Sequence, residues 1–361
     1  MSMDPHPISA CGLKQFRADA CLSYCVYDGQ NGDAILVDPH LELMGDYRSY
    51  LAERKLKLVQ IVETHTHSDH FSCSHWLARE YSVDIAMSQF TKSARATRKL
   101  AQGQKLQLGQ KTFEVLVTPG HSADAICLWG EGILLSGDTL LIGGSGRVTA
   151  PGADGTALFR SLQSLILKPD CLVFPGHDSQ GYLFSTMASE RAKNPHLRAK
   201  DDKEFAALKL EESTSAPYED VENKVLFNES REPREDVRTD PGKNVHCIHA
   251  EISREPVGQI SVEKFALKLK KKDPKHAFID VREPEELQQA AIVGLRNIPV
   301  SELGFHVDEL KEFERVYLSC RSGMRSQHAA QTLSRVGLKD IVNVEGGIKA
   351  WVQAGLSIRK Q

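Results

Sequence analysis

Four metal-binding side chains crowd into residues 64–70, which read Thr-His-Thr-His-Ser-Asp-His. The apolar run at residues 58–62 precedes them directly and is typical of a buried strand. Side chains that follow the end of one strand lie close enough to converge on a single ion, and imidazole with carboxylate is a ligand set that transition metals favour. A metal enzyme is therefore the first hypothesis for this chain.

Three further candidate ligands occupy tight turns downstream of this segment. They are His121 in Thr-Pro-Gly-His, Asp138 in Ser-Gly-Asp-Thr and His177 in Pro-Gly-His-Asp. Each follows a short β-type run, so all three are expected at strand ends. Together with the four candidates of the first segment, they provide enough ligands for one metal ion or for two. Those four are His65, His67, Asp69 and His70.

Composition and charge limit the other functions that the chain can have. A length of 361 residues suggests two domains, and 41% hydrophobic with 26% charged residues is ordinary for a globular protein. A net charge of −3 gives no attraction for nucleic acid or for an anionic membrane. No run of 18 apolar residues occurs, and the N-terminus lacks the apolar core of a signal peptide. The eight cysteines include no Cys-x-x-Cys pair, which argues against a disulfide framework and favours a reducing cytoplasm.

Two globular patterns are separated by a polar segment. Over residues 12–200, short β-type runs alternate with helical stretches, which indicates a layered α/β fold. Residues 211–255 are rich in charge and poor in apolar side chains, as expected of a linker or a wrapping arm. The chain beyond them repeats strand–helix units, which predict a parallel sheet covered by helices. We therefore predict a first domain with a C-terminal arm at 1–240, a linker at 241–258, and a second domain at 259–361.

The first domain resembles the metallo-β-lactamase superfamily. The resemblance is carried by His65-x-His67-x-Asp69-His70, followed in the superfamily's order and spacing by His121, Asp138 and His177. It implies an αβ/βα sandwich with the site at one edge of two facing sheets. The superfamily contains both hydrolases and oxygenases, so the fold alone does not assign the reaction.

Surrounding segments resemble the persulfide dioxygenases of this superfamily. They lie at residues 15–17, 35–39, 140–147, 185–186, 190–191 and 194–197. This resemblance implies one Fe(II) per chain, held by His65, His121 and Asp138. It also implies that the remaining candidates are retained without binding a second metal, namely His67, Asp69, His70 and His177.

The implied ligand set fits the implied chemistry. Two neutral imidazoles and one carboxylate leave about three coordination positions of Fe(II) open, which allows a persulfide sulfur and the co-substrate O2 to bind side by side. The reaction would convert a small thiol persulfide, glutathione persulfide being the favoured example, to sulfite and thiol. The other polar residues of the cluster would position ligands or move protons.

Two departures from the dioxygenase pattern lie on the substrate side. Val148 and Thr149 follow Arg147 where the family has Thr-Asp, and Ser179 follows the His-Asp pair where the family has an aromatic residue. The nearest tyrosine is Tyr182, and we assign Tyr182 and Arg147 to substrate binding. The planar fork of Arg147 suits a substrate carboxylate, and a structural role for Arg147 in satisfying turn carbonyls is equally compatible with the sequence.

The second domain carries its own reactive segment, Cys-Arg-Ser-Gly-Met-Arg-Ser at residues 320–326. It lies between a predicted strand and a predicted helix, where backbone N–H groups, the helix dipole and Arg325 favour a thiolate at Cys320. With residues 278–286, 297–299 and 344–351, the segment resembles the rhodanese domain. The resemblance implies that Cys320 is a nucleophile carrying sulfane sulfur, in an anion cradle formed by the loop amides, Arg325 and Ser326. We assign Arg321 to substrate binding.

Together the halves predict a bifunctional enzyme of sulfur metabolism. The oxygenase would act on a thiol persulfide, and the rhodanese domain would move sulfane sulfur between thiosulfate and a thiol or persulfide, in a direction that the sequence leaves open. The predicted partners are therefore a small thiol persulfide such as that of glutathione, thiosulfate and sulfite, with no nucleic acid and no membrane. A homodimer is the commonest assembly of such enzymes, although no segment locates an interface.

Two other functions are compatible with parts of this pattern. A dinuclear thioester hydrolase of glyoxalase II type would use all seven candidate ligands for two ions. Against it, no helical thioester-binding domain is evident after residue 200. A sulfur carrier or sensor with an inactive oxygenase half is the other alternative, and the intact set of three iron ligands argues against it.

Overall fold

A computed structural model describes residues 11–149, 152–212, 221–231 and 257–359. The chain divides into two compact units, one comprising Met1–Gln180 with Thr186–Ile252 and the other Gly181–Ser185 with Ser253–Gln361. The linker predicted at 241–258 lies outside the described residues except for its last two, and Gly258 already begins a strand.

The N-terminal unit contains two six-stranded sheets. The strands of the first sheet are, in spatial order, β1 (Cys11–Ala18), β2 (Cys21–Asp28), β3 (Asp33–Val37), β4 (Lys57–Val62), β5 (Asp84–Ser88) and β6 (Arg98–Leu100). β1 to β3 are antiparallel neighbours, whereas β3 to β6 run parallel. Parallel strands are covered on both faces and read as continuous apolar runs, which explains the apolar segment that precedes the histidine cluster.

The second sheet follows in the chain. Its strands are β7 (Lys105–Leu108), β8 (Lys111–Val117), β9 (Ile126–Gly130), β10 (Ile133–Gly137), β11 (Leu172–Pro175) and β12 (Ser185–Thr186), in the spatial order β12-β11-β10-β9-β8-β7. β7 to β10 are antiparallel neighbours, and β10 pairs with β11 in parallel. The two sheets are joined by hydrogen bonds from Leu22 N–H to Gly176 O (2.7 Å) and from the Tyr24 hydroxyl to Pro175 O (2.6 Å).

Helices cover the outer face of each sheet. They are α1 (Met44–Glu53), α2 (Ser74–Tyr81), α3 (Gly155–Ile166), α4 (Met187–Lys193), α5 (Pro195–Arg198), α6 (Asp202–Glu212) and α7 (Val221–Glu229). Tyr47 and Leu77 of α1 and α2 pack in one core with Ile61 of β4, whereas Leu162 of α3 packs in another with Val173 of β11. The unit is thus an αβ/βα sandwich, as predicted.

The C-terminal unit is built on a five-stranded parallel sheet of order β13-β17-β16-β14-β15. Its elements are β13 (Gly258–Ile260), α8 (Val262–Lys271), β14 (His276–Asp280), α9 (Pro284–Gln289), β15 (Arg296–Asn297), α10 (Val307–Lys311), β16 (Arg315–Ser319), α11 (Met324–Arg335), β17 (Ile341–Val344) and α12 (Gly347–Gln353). Phe265 of α8 and Trp351 of α12 share a core with Val344 of β17. The predicted parallel sheet of a rhodanese-type domain is confirmed.

Some elements were not evident from the sequence pattern. β1 escapes it because polar residues such as Lys14, Gln15 and Arg17 occupy its partly exposed positions, whereas β2 is buried almost throughout and includes the polar residues Ser23 and Asp28. Ser185 and Thr186 form a short strand, and the Thr186 side chain caps α4, so this helix begins at Met187. Among the described residues, no helix is long and apolar enough to cross a membrane.

Candidate metal centre and sulfur-transfer loop

Four strand ends bring the predicted metal ligands together. His65 follows β4, His121 follows β8, Asp138 follows β10 and His177 follows β11. His121 Nε2 lies 3.4 Å and His65 Nε2 lies 3.9 Å from Asp138 Oδ2. One potential ligand atom from each of His65, His121 and Asp138 lies within 4.8 Å of the others, and all three side chains are buried. The structure therefore places the predicted iron ligands around one point.

The ring nitrogens of the two histidines are oriented for a metal. His121 donates from Nδ1 to the Arg147 carbonyl at 2.9 Å, so the lone pair of its Nε2 faces the site. His65 Nδ1 lies 3.0 Å from the Thr64 hydroxyl, which itself donates to Asp38. His65 Nε2 is buried and has no hydrogen-bond partner among the described residues. Since a buried polar atom without a partner is costly, a cation at this point fits the residues present.

Electrostatics favour the metal-binding forms of His65 and Asp138. Burial, reinforced by His67 and His121, lowers the pKa of His65 to about 3, so its ring is neutral near pH 7. Burial alone would raise the pKa of Asp138, but the neighbouring His177 outweighs it and holds the pKa below its usual range. A buried pair of neutral imidazoles with one carboxylate is the donor set of non-haem Fe(II) sites.

Glycines allow the backbone to approach these ligands closely. A Cβ atom on Gly146 would lie 2.1 Å from Asp138 O and 2.8 Å from His121 Nδ1, and Gly146 N–H donates to Asp138 O at 2.8 Å. Gly120, at φ +142°, packs its backbone against Leu158 of α3, where a Cβ would be 2.2 Å from the Leu158 nitrogen. The glycine-rich turn before Arg147 therefore positions His121, and Arg147 contributes its backbone carbonyl. Substrate binding by the Arg147 side chain stays a prediction.

His177, Asp69 and His70 form a hydrogen-bonded chain behind Asp138. His177 Nδ1 lies 2.6 Å from Asp138 Oδ1, and its Nε2 lies 2.8 Å from Asp69 Oδ2. His70 Nδ1 lies 3.0 Å from the same Asp69 oxygen, and the His70 ring stacks on His40 with centroids 4.6 Å apart. Both nitrogens of His177 thus face carboxylates, an arrangement that orients Asp138.

His67 is directed to a different pair of carboxylates. Its Nε2 lies 3.0 Å from Glu63 Oε2 and 3.2 Å from Asp38 Oδ1. Burial alone would lower the pKa of His67, but these carboxylates outweigh it and hold the pKa well above its usual range. A protonated imidazole has no lone pair for a metal. Asp38 also accepts from Thr64 N–H at 2.7 Å, so Asp38 and Glu63 are supporting residues that the ligand motif did not reveal.

A strap formed by residues 221–231, which includes α7, holds the histidine segment from outside. Asn228 donates to the carbonyls of His67 (3.0 Å) and His70 (2.8 Å) and accepts from Ser72 N–H (3.0 Å). The buried Arg95 donates to the Phe227 carbonyl and, at 2.9 Å, to the Ser230 carbonyl. This strap lies in the region predicted to be a linker or a wrapping arm. Its role depends on side-chain contacts that no local pattern shows.

Asn228→Asp is expected to loosen the metal site without removing a ligand. The change deletes the two N–H donors and sets a carboxylate against two carbonyls in a buried place, which should cost about 2–4 kcal/mol of unfolding free energy. We expect a lower melting temperature and faster loss of iron to a chelator. Asn223→Asp, the same change at an exposed position of α7, is the control. Iron retention equal to that of the unmodified protein would show that the strap does not support the site.

The second reactive group is Cys320, which follows β16 and precedes α11. Its Sγ accepts from Gly323 N–H at 3.1 Å and from the Ser326 hydroxyl at 3.2 Å, and the side chain is buried. Gly323 has φ +89°, a left-handed conformation that favours glycine. A Cβ at this position would also lie only 3.0 Å from Gly346 N. The loop therefore surrounds the sulfur with donors, as a persulfide anion requires.

Arg325 differs from its predicted place in the anion cradle. Its guanidinium makes a bidentate ion pair with Glu286, with N···O distances of 2.6 and 2.7 Å. Glu286 belongs to the capping box at the start of α9, which fixes its carboxylate in reach of Arg325. The ion pair raises the pKa of Arg325 and keeps it charged near Cys320. The guanidinium of Arg325 is thus bound by Glu286, while Gly323 N–H and the Ser326 hydroxyl donate to the sulfur.

The two remaining predicted substrate residues occupy different surroundings. Arg321 is exposed, and its side chain has no ion-pair partner among the described residues. Tyr182 is 2% exposed, within the segment 181–185 that groups with the C-terminal unit, and the Arg335 guanidinium lies 5.4 Å from its ring centroid. A buried ring offers little surface to a substrate, and its assignment stays a prediction.

Ser326→Ala is expected to slow sulfur transfer while leaving the fold intact. The change removes one hydrogen bond to a sulfur that becomes charged during the reaction, so the transfer rate should fall about tenfold. The measurement is sulfite release from thiosulfate in the presence of a thiol. Ser334→Ala, on the same helix and remote from Cys320 in the chain, is the matched control. An unchanged rate in Ser326→Ala would remove Ser326 from the cradle.

Comparison with known proteins agrees with this geometry. Residues 17–177 match the metallo-beta-lactamase superfamily, and residues 261–354 match the rhodanese-like domain. The persulfide dioxygenase ETHE1 of Homo sapiens, a mitochondrial protein, is 30% identical over 189 residues, which cover 51% of this chain and 74% of that protein. The crystal structure of ETHE1 from Myxococcus xanthus superposes with a TM-score of 0.58 at 29% identity, covering 60% of this chain and 97% of that chain.

A hydrolase is also among the similar proteins. Hydroxyacylglutathione hydrolase of Pseudoalteromonas translucida is 34% identical over 181 residues, which cover 49% of this chain and 68% of that protein. Similarity in the first unit is therefore shared by relatives that differ in reaction.

Proposed function

Because the chain belongs to the metallo-beta-lactamase superfamily and carries a C-terminal rhodanese domain, we propose that it is both an Fe(II)-dependent persulfide dioxygenase and a thiosulfate sulfurtransferase. The observation that carries the first activity is the division of labour among the seven candidate ligands. His65, His121 and Asp138 face one point, whereas Nε2 of His67 and both ring nitrogens of His177 face carboxylates of the protein. That division supports a site for one ion rather than two.

The first reaction oxidises the outer sulfur of a thiol persulfide. A persulfide R–S–SH, dioxygen and water give the thiol R–SH and sulfite with two protons. The electrons that dioxygen takes up come from the outer sulfur, and Fe(II), when bound, supplies the open positions at which the two reactants meet.

The residues of this chain set the geometry for that reaction. Arg147 O and Thr64 fix the rings of His121 and His65, and His177 fixes the carboxylate of Asp138. The buried His177–Asp69 pair is placed to receive a proton released next to Asp138. The side chains of His65, His121 and Asp138 are buried, which limits the access of bulk water to a reactive sulfur bound beside them.

The second reaction transfers sulfane sulfur through Cys320. The thiolate of Cys320 attacks the outer sulfur of thiosulfate, the S–S bond of thiosulfate breaks, and sulfite leaves with the electron pair. The persulfide so formed is stabilised by Gly323 N–H and by the Ser326 hydroxyl. A thiol then takes the outer sulfur, so that thiosulfate and thiol give thiol persulfide and sulfite. The reverse direction uses the same groups.

Metal content and oxygen uptake test the proposal. Protein loaded and purified without air should hold one iron per chain and consume oxygen on addition of glutathione persulfide, with sulfite as product. Protein that lacks iron yet is fully active, or that leaves oxygen untouched with every small persulfide offered, would overturn it.

The similarity to a hydroxyacylglutathione hydrolase supports a second candidate function, a dinuclear thioester hydrolase. In that enzyme His177 would have to turn from Asp138 and Asp69 to a metal ion, whereas His67 Nδ1 and His70 Nε2 are buried and have no hydrogen-bond partner among the described residues. Two zinc ions per chain, with cleavage of a glutathione thioester and no oxygen uptake, would favour it over the dioxygenase.

Glutathione persulfide, thiosulfate and sulfite are the proposed small-molecule partners, and a homodimer in the cytoplasm is the proposed state. None of the seven described cysteines forms a disulfide, which supports a reducing compartment. The eighth cysteine, Cys247, lies outside the described residues.

A further inference from the structure

An open cavity of about 740 Å³ adjoins the Cys320 loop in the C-terminal unit. Its walls come from α9, α12 and the loop itself, and its polar side chains are Arg282, Glu286, Gln289, Arg321, Lys349 and Gln353. The volume lies within the range of about 300–1,000 Å³ that small-molecule sites occupy. It is far larger than thiosulfate or sulfite needs.

Three contacts connect the walls of this cavity to the reactive cysteine. Arg321 follows Cys320 directly in the chain. Ile348 N–H donates to Cys320 O at 2.9 Å, and Lys349 N–H donates to Arg321 O at 3.1 Å, so the start of α12 is fixed to the loop. A molecule in the cavity therefore lies beside the sulfur-transfer loop.

The charges around the cavity do not cancel. Arg282 is paired with Asp280 at 2.7 Å, and Glu286 is paired with Arg325 at 2.6 Å, so those two charges of the wall are neutralised by protein. Arg321 and Lys349 are exposed, and neither side chain has an ion-pair or hydrogen-bond partner within the described ranges. The cavity thus presents two uncompensated cations, with the glutamines 289 and 353 as neutral hydrogen-bonding groups and Val352 as an apolar one.

We propose that this cavity binds the carboxylate-bearing body of the small thiol that exchanges sulfur with Cys320, with Lys349 and Arg321 as the carboxylate anchors. A peptide-like thiol such as glutathione matches the site, because it offers carboxylates for two cations and amides for the glutamines. The inference rests on the proposed sulfurtransferase function and adds the cavity and the two side chains that would bind the thiol. Arg325 is already bound by Glu286, so Lys349 and Arg321 are the cations left to bind the thiol.

The step that the cavity would assist is discharge of the Cys320 persulfide. The thiol reacts as its thiolate after losing a proton to solvent. Its sulfur forms a bond to the outer sulfur of the persulfide, the bond between that sulfur and Cys320 Sγ breaks, and the electron pair returns to Sγ. Gly323 N–H and the Ser326 hydroxyl then receive the restored thiolate.

A comparison of two thiols tests the proposal in the full-length protein. Cys320 is first loaded with sulfane sulfur from thiosulfate, and discharge is then followed with glutathione or with uncharged 2-mercaptoethanol. In Lys349→Glu, the ratio of the glutathione rate constant to the 2-mercaptoethanol rate constant should fall about tenfold, and further in Arg321→Glu/Lys349→Glu. Lys339→Glu, an exposed lysine of the same unit outside the cavity, should leave the ratio unchanged. An unchanged ratio in the double variant would overturn the proposal.

A binding measurement separates this inference from the proposed function. S-methylglutathione, which cannot accept sulfur, is titrated calorimetrically into the Cys320→Ser protein and into the same protein carrying Lys349→Glu. Binding that weakens about tenfold on the lysine substitution supports the site, even if the unmodified protein transferred no sulfur. Equal binding to both proteins, or none to either, would overturn the cavity as a thiol site while leaving sulfur transfer by Cys320 untouched.

Discussion

His121→Ala is expected to abolish oxygen uptake with glutathione persulfide and to reduce bound iron to near zero. His121 is one of three side chains whose ligand atoms meet at one point, and its ring is held by the Arg147 carbonyl. Loss of groups that merely orient a ligand already costs about 10–100-fold in metal affinity, so loss of the ligand itself should cost more. Iron per chain and oxygen-electrode traces, measured on protein purified without air, give both results from one preparation.

The same substitution should leave sulfur transfer intact. Cys320 and its loop donors belong to the other compact unit, so thiosulfate-dependent sulfite release is expected at the unmodified rate. His75→Ala, on α2 and outside the metal site, serves as the matched histidine control. An iron content that survives His121→Ala would exclude the assignment of His121 as a ligand.

Cys320→Ser is expected to produce the complementary loss. A hydroxyl is a far weaker nucleophile than a thiolate and cannot hold sulfane sulfur, so sulfur transfer should fall more than about a thousandfold. Iron content and oxygen uptake should match those of the unmodified protein. The assay is sulfite release from thiosulfate and glutathione, together with mass detection of the persulfide on Cys320.

Other cysteines provide the control for this experiment. Burial raises the pKa of the Cys171 thiol to about 11 and that of Cys11 to about 12, so neither is a ready nucleophile near pH 7. Cys171→Ser should therefore transfer sulfur at the unmodified rate. Sulfur transfer that persisted in Cys320→Ser but was lost in Cys171→Ser would place the nucleophile elsewhere.

The two substitutions also test whether the activities are independent. If His121→Ala and Cys320→Ser each removed a single activity, a small thiol that diffuses between the sites would suffice to connect them. If either removed both activities in folded protein, the sites would have to act as one.

Much of the architecture follows from local signals. Mainly apolar runs identified the buried parallel strands, such as residues 58–62 before the histidine cluster, where Gln60 is the one polar residue, because such strands have few solvent-facing positions. The glycine turns that carry His121 and His177 were likewise visible, because only a short turn fits between strand end and ligand. β1 was not visible, because polar residues on its partly exposed positions blur the apolar alternation.

The amino-acid sequence alone offered seven candidate metal ligands and a thiol between a strand and a helix. Residue type and spacing suffice for this, since these groups follow the ends of strands. The choice of two histidines and one aspartate for a single ion came from the resemblance to the persulfide dioxygenases. The tertiary structure alone decided which of these groups are bound by other side chains of the protein. Asn228 reaches His67 and His70 across more than 150 residues of chain, and Glu286 holds Arg325 across 39. Hydrogen bonds between such distant segments depend on packing, so no local pattern encodes them. The pairing of Glu286 with Arg325 leaves Lys349 and Arg321 as the uncompensated charges beside Cys320.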